Sequence, residues 1–135
     1  MTTEAKKILE LIESVDPADS AALDEIDARV WCFKKGLLFQ RQWKSKNMGN
    51  CVKGYDSEHV ELCVPKYTRS RDALKAIRPE GCTILIHGYK PEQWTGIAYR
   101  HTDNNRFSAP SFLPTEELAE LHAIIQAIEY NRGQE

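Results

Sequence analysis

Cys82-Thr83-Ile84-Leu85-Ile86-His87, then Trp94-Thr95-Gly96-Ile97-Ala98-Tyr99-Arg100-His101 after the linker Gly88-Tyr89-Lys90-Pro91, decides how this chain is built. Both runs alternate. Ile84 and Ile86 stand opposite Thr83, Leu85 and His87, while Thr95, Ile97 and Tyr99 stand opposite Trp94, Gly96 and Ala98, as side chains do along a strand. The linker suits a β-hairpin with a longer loop. A short antiparallel sheet with apolar residues on both faces needs cover, so the flanking sequence is read for helices.

The flanks supply them. Pro114 fits a first helical position, and Glu116 and Glu117 suit the positive end of the dipole. Leu118, Leu121, Ile125 and Ile128 then form one stripe, with Gly133 just past the end. Toward the N-terminus, Ala5, Ile8, Leu9 and Ile12 place a helix over 3–14, which Asp16-Pro17 breaks. A second helix over about 20–34 has Asp19 or Ser20 as its cap and Leu23, Ile26, Val30 and Phe33 as its buried face. Lys34, Lys35 and Gly36 suit its C-terminal end. Thr68 or Ser70 caps a short helix over about 69–78, stopped by Arg78-Pro79-Glu80-Gly81. Residues 59–64 alternate as a strand, and Phe107 suits a short edge strand. Residues 37–58 read mainly as a loop or insert: Leu37-Leu38-Phe39 and Trp43 suit a strand, but Lys44-Ser45-Lys46-Asn47-Met48-Gly49-Asn50 does not.

The chain has 135 residues, enough for a single domain over 1–135 whose core removes roughly two-thirds of the unfolded surface from water. Its 41% hydrophobic and 28% charged content exclude a disordered chain. No run approaches the ~18 apolar residues of a membrane span, and the charged N-terminal stretch is unlike a signal peptide. A cytoplasmic location in a bacterial host, without a membrane partner, is the expectation.

Three phrases resemble the phage ABA sandwich family of small phage and prophage proteins. They are Leu23-Asp24-Glu25-Ile26-Asp27-Ala28-Arg29-Val30-Trp31-Cys32, then Tyr67-Thr68-Arg69-Ser70-Arg71-Asp72-Ala73-Leu74 closing at Pro79-Glu80-Gly81, and Leu113-Pro114-Thr115-Glu116-Glu117-Leu118-Ala119 through Ile128. The matching segments cover somewhat more than half of the chain. Periodicity alone gives an α+β fold. The resemblance implies the finer arrangement, a three-layer α/β/α sandwich with a small antiparallel sheet covered by helices. It also implies a phage setting, but no active site, so no functional residue is carried over.

Charge supplies the candidate site. Residues 1–27 hold two basic and eight acidic side chains, whereas residues 28–55 hold seven basic ones and no carboxylate. The basic stretch interleaves Trp31, Phe33, Phe39, Trp43 and Tyr55 with its cations. Cations that follow phosphates, with aromatic faces that stack on bases, are what a sequence-tolerant nucleic-acid surface needs. Lys34, Lys35, Arg41, Trp43, Lys44, Lys46 and Lys53 are therefore the candidate binding residues, for nucleic acid or for an acidic protein surface. The competing interpretation is a solvated helix end and loop whose aromatics face the core, Phe33 first among them.

Catalytic motifs are lacking: there is no G-x-x-x-x-G-K-[ST], G-x-G-x-x-G, H-E-x-x-H or G-x-S-x-G. His87 has no marked acid or nucleophile partner, and His122 borders an apolar stripe. Cys51, His59, Cys63 and Cys82 would be the ligands of a zinc site, but the C-x₂₋₄-C knuckle is absent. No catalytic residue, metal or cofactor is expected, and an enzyme or zinc protein ranks last. The leading expectation is a non-enzymatic phage or prophage accessory protein that binds a host or phage macromolecule, an anti-defence factor such as an anti-CRISPR being one form. Direct nucleic-acid binding is the alternative. The acidic helices at the two ends offer a negative face to a basic partner. The sequence is also compatible with self-association through a sheet edge or the closing helix.

Overall fold

The computed structural model describes residues 1–55 and 57–133. The helices begin and end where local chemistry sets them. In α1 (Thr3–Ser14), the Thr2 side chain accepts from the Ala5 N–H, and Ala5, Ile8, Leu9 and Ile12 are buried. In α2 (Ser20–Lys35), Asp19 accepts from Ala22 N–H; Gly36, at φ 75°, turns left-handed and returns its N–H to Cys32 and Phe33. Ser70 caps α3 (Arg71–Lys75), shorter than its apolar pattern suggests. The last helix, α4 (Glu116–Gly133), starts later than Pro114 implies. The Thr115 hydroxyl accepts from Leu118 N–H, so the proline lies one residue ahead of the cap.

The strands are β1 (Phe39–Ser45), β2 (Gly49–Gly54), β3 (Val60–Glu61), β4 (Cys82–Lys90), β5 (Gln93–Arg100) and β6 (Arg106–Ser108). Segment 37–58 is therefore largely a hairpin and not a loop: β1 and β2 pair from Phe39↔Gly54 to Ser45↔Gly49 around a turn at 46–48. Gly49 has φ 69°, a backbone angle that few other residues adopt without strain, and it starts the return strand. The expected strand over 59–64 is cut to two residues, after which Cys63 takes φ 57°.

The mixed α+β class read from periodicity is present, but its layering differs from one sheet between two helical covers. All strands are antiparallel and fall into two sheets of three, ordered β1-β2-β3 and β4-β5-β6. Helix α2 packs on β1 and β2, α4 packs on β4, β5 and β6, and α1 joins α2 to α4. A single apolar cluster runs through Ile8, Ile26, Val30, Val52, Leu74, Leu113, Leu121 and Ile125. Gly96 and Ala98 turn toward α4; a Cβ on Gly96 would lie 2.3 Å from the Ala119 carbonyl oxygen, so glycine sets how closely helix and strand approach. Among the described residues no helix packs on the other face of that sheet, and Thr83, Leu85 and His87 are exposed there.

Helix α4 is more deeply embedded than one stripe predicts: ten of its residues are buried, Glu120 and His122 among them. Arg78 donates to Glu120 Oε1, and Arg71 Nη2 stands 3.6 Å from that atom while its Nη1 stands 3.1 Å from Glu116. The second and third phrases of the sequence motif are thereby held together by ion pairs. Among the described residues, no helix is long and apolar enough to cross a membrane.

Candidate binding surface

The β1–β2 register sorts the basic stretch into two faces. Directly paired residues share a face, so Arg41, Lys53, Trp43, Cys51, Ser45 and Gly49 lie on one side and Gln42, Val52, Lys44 and Asn50 on the other. The second side faces α2. Val52 is wholly buried, and Asn50 Nδ2 donates to the Asp24 carbonyl at 2.8 Å while its Oδ1 accepts from Gln42 Nε2 at 2.6 Å.

The inward face holds the densest polar cluster among the described residues. Asp24 and Asp27, three residues apart on α2, are both buried. Arg69 Nη2 donates to both, at 2.6 Å to Asp24 Oδ1 and 2.7 Å to Asp27 Oδ2. Lys44 Nζ donates to Asp24 Oδ2 at 2.8 Å, and the Thr68 N–H donates to Asp27 Oδ1 at 2.8 Å. Burial pushes the Asp24 carboxyl up, but the bonds from Lys44 and Arg69 outweigh it and hold the group below the usual range. At the deeper Asp27 burial wins over Arg69 and Thr68, and the carboxyl titrates above the usual range. Arg69 loses some basicity to burial and more than regains it from the two carboxylates. The cluster ties α2 to the hairpin and to the loop before α3. Its members come from the first two phrases of the motif plus the hairpin, so those phrases meet as a structural lock.

The outward face carries Arg41, which is exposed, and Lys53, which is half-buried, while Cys51 on the same face is wholly buried. Arg41 is exposed and lies over the half-buried Trp43 ring, 4.7 Å from its centroid; Lys53 stands directly across from Arg41. A guanidinium on an indole face keeps its outer edge open to an anion while the ring holds it in place. No acidic residue belongs to this face in the β1–β2 register. Lys46 is exposed in the adjoining turn. A bulge between Phe39 and Arg41 sends Phe39 the other way, beneath Arg29, whose guanidinium carbon is 4.2 Å from its centroid.

The seven candidates therefore divide. Arg41, Trp43 and Lys53 come together, with Lys46 beside them. Lys44 is exposed, with its Nζ engaged by Asp24 at 2.8 Å from the α2 side. Lys34 and Lys35 are exposed at the end of α2, which packs against the opposite face; Lys35 Nζ lies 6.0 Å from the Trp31 ring. Of the interleaved aromatics, Trp31 and Phe33 are core residues, Trp31 stacked on His59 and Phe33 under Arg132. Tyr55 is exposed.

The acidic ends are less negative on their surface than their composition. Asp24, Asp27 and Glu120 are buried and paired with arginines, which takes them out of the negative face expected of those helices. Asp24, Asp27 and Arg69 were also the residues that sequence reasoning passed over. Their signal is that all three lie within the first two phrases of the motif, Asp24 and Asp27 each directly after a residue of the buried stripe.

No described residues form a group of three or more His, Cys, Asp and Glu side chains placed for a metal, and Cys51 and Cys82 belong to different sheets. Burial, with Glu4 nearby, pushes the Cys32 thiol up to about 11, so at neutral pH it is a protonated apolar side chain and not a nucleophile. His87 is exposed on the bare side of β4, opposite Thr95. Set against family models, curated proteins and solved structures, the chain matches none.

Proposed function

We propose that this chain is a phage or prophage accessory protein that acts by binding a host or phage macromolecule, with no catalytic step of its own. The observation that carries the reading is the division of the hairpin. Its inward polar groups Lys44 and Asn50 bond to Asp24 of the Asp24–Arg69–Asp27 lock, while Arg41, Trp43 and Lys53 stand together on the outward face, where the paired β1–β2 residues include no carboxylate. A surface of that kind recognises an anionic partner. The partner is an acidic protein surface of the host or phage machinery, and an anti-defence role fits that mode of action. The phage assignment rests on the three-phrase resemblance. The bacterial cytoplasm is the compartment that follows from it.

The test is co-purification from the host with the wild-type chain and with Arg41→Glu/Lys53→Glu. A stoichiometric partner recovered with the first and lost with the second supports the reading. A partner retained equally by both removes the hairpin face from it.

Nucleic acid is the second reading, favoured by the Arg41–Trp43 stack, because base–aromatic stacking with adjacent cations suits single strands. Titration of a labelled single-stranded oligonucleotide at two salt concentrations separates it from the first. Three or four phosphate contacts give a slope of roughly −2 to −3 in log K against log salt. No binding at low salt ends this alternative.

A further inference from the structure

Of the four strand edges in the two sheets, three are guarded. Strand β3 has two residues and β6 three, too short to template another strand. Strand β1 is interrupted by the bulge between Phe39 and Arg41 and carries Arg41 and Lys44. Strand β4 differs. It has nine residues, no proline, and no charged side chain before Lys90, and its pairing with β5 stays regular from Cys82 to Gly88. No described backbone hydrogen bond joins residues 82–90 to any segment other than β5.

The side chains repeat the pattern. Ile84 and Ile86 turn toward α4, as their partners Ala98 and Gly96 do, yet they remain only half-buried because the flank beyond β4 is open. Leu85, on the other face, is 39% exposed beside its partner Ile97. An unprotected edge with apolar residues on both faces is what natural sheets avoid unless another strand covers it.

We infer that the β4 edge pairs with the β4 edge of a second copy of this chain, giving a two-fold dimer with a continuous six-stranded antiparallel sheet. The occupant follows from the self-complementarity of the edge sequence about Leu85. Centred on Leu85, the self-pairing sets Leu85 against itself, Thr83 against His87 and Ile84 against Ile86, which brings no like charges together. The apolar contacts on both faces are then completed by the same residues of the partner copy.

The experiment is the solution mass of the purified full-length chain across a concentration series, by sedimentation or light scattering. Leu85→Lys, Leu85→Glu and an equimolar mixture of the two are run alongside. The wild type is expected to be a dimer. Each single variant repels its own copy at the symmetry axis and loses the leucine–leucine contact there, raising the dimer dissociation constant at least about tenfold. The mixture recovers the dimer as a heterodimer. Thr83→Lys/His87→Lys, at two exposed positions that face each other across the pairing, brings like charges together and serves if a Leu85 variant folds poorly. A wild type that stays monomeric, or a dimer untouched by these substitutions, overturns the inference. In the monomeric case the edge is left to an extended segment of another protein.

Discussion

Replacing Arg69 by methionine keeps most of the aliphatic stem and removes the guanidinium that joins Asp24 to Asp27. The magnitude follows from what is left behind. Asp24 is 5% exposed and keeps Lys44, whereas Asp27 is fully buried and keeps only the Thr68 N–H at 2.8 Å. Removing one partner from a buried ion pair costs about 3–5 kcal/mol, because the abandoned charge still lacks water. A domain of this size has roughly 5–15 kcal/mol in all. With a urea m value of about 1–3 kcal/mol per molar, the midpoint falls by at least about 1 M. The loss also has a pH signature. Burial already raises the Asp27 carboxyl, and without Arg69 it rises further; protonation then relieves the penalty, so the variant's deficit shrinks as pH falls through the carboxylate range. Urea unfolding of both proteins at neutral and mildly acidic pH measures this. A midpoint shift below about 0.3 M at neutral pH, or a deficit independent of pH, refutes the account of the lock.

Gly96→Ala brings a Cβ to 2.3 Å from the Ala119 carbonyl oxygen, a backbone atom that cannot step aside, so α4 must lift from the sheet. A loss of at least about 2 kcal/mol in chemical unfolding is expected, and a neutral outcome would place α4 farther from β5 than described. His122 is buried, and burial, opposed by the Gln126 side chain beside it, pushes its pKa from the usual 6.5 down to about 4. Its folded-state value lies below the unfolded one, so stability is full above about pH 6.5 and declines toward pH 4 as the unfolded chain takes up the proton. A displacement of that size is worth about 3 kcal/mol, reduced by whatever the charged ring gains from Glu13 at 3.8 Å. His122→Leu should flatten the pH profile of the melting temperature between those limits, and an unchanged profile would assign the acid loss to other groups.

The fold was legible where one residue type decides a local conformation. Helix ends depend on a residue's own side chain or own φ: of Asp19 or Ser20 and of Thr68 or Ser70 the structure takes Asp19 and Ser70 as caps, and Gly36 ends α2. The β4–β5 alternation was equally readable, because each residue's face follows from its neighbours along the strand. The β1–β2 hairpin was not, since its turn-proximal half is polar for tertiary reasons. Lys44 reaches Asp24 and Asn50 reaches the Asp24 carbonyl, contacts with a helix residue 20 and 26 positions earlier. The partition into two sheets was hidden for the same reason: alternation gives faces and leaves strand partners open.

The candidate site was legible as composition and not as geometry. A carboxylate-free stretch identified the hairpin, but only strand register could turn Arg41, Trp43 and Lys53 outward and Lys44 inward. The acids of α2 had counted as surface charge because a buried Asp with an arginine partner looks the same in sequence as a solvated one. Asp24 and Asp27 are internal, and the arginine that neutralises them lies some forty residues away.

The most direct measurement is partner recovery from the host with Arg41→Glu/Lys53→Glu, run beside Lys44→Glu and with urea midpoints taken for both variants. The outward pair should lose the partner at an unchanged midpoint, whereas Lys44→Glu should lower the midpoint through repulsion with Asp24. Full recovery of the partner by a folded outward-pair variant would contradict the claim that this face of the hairpin is where the protein acts.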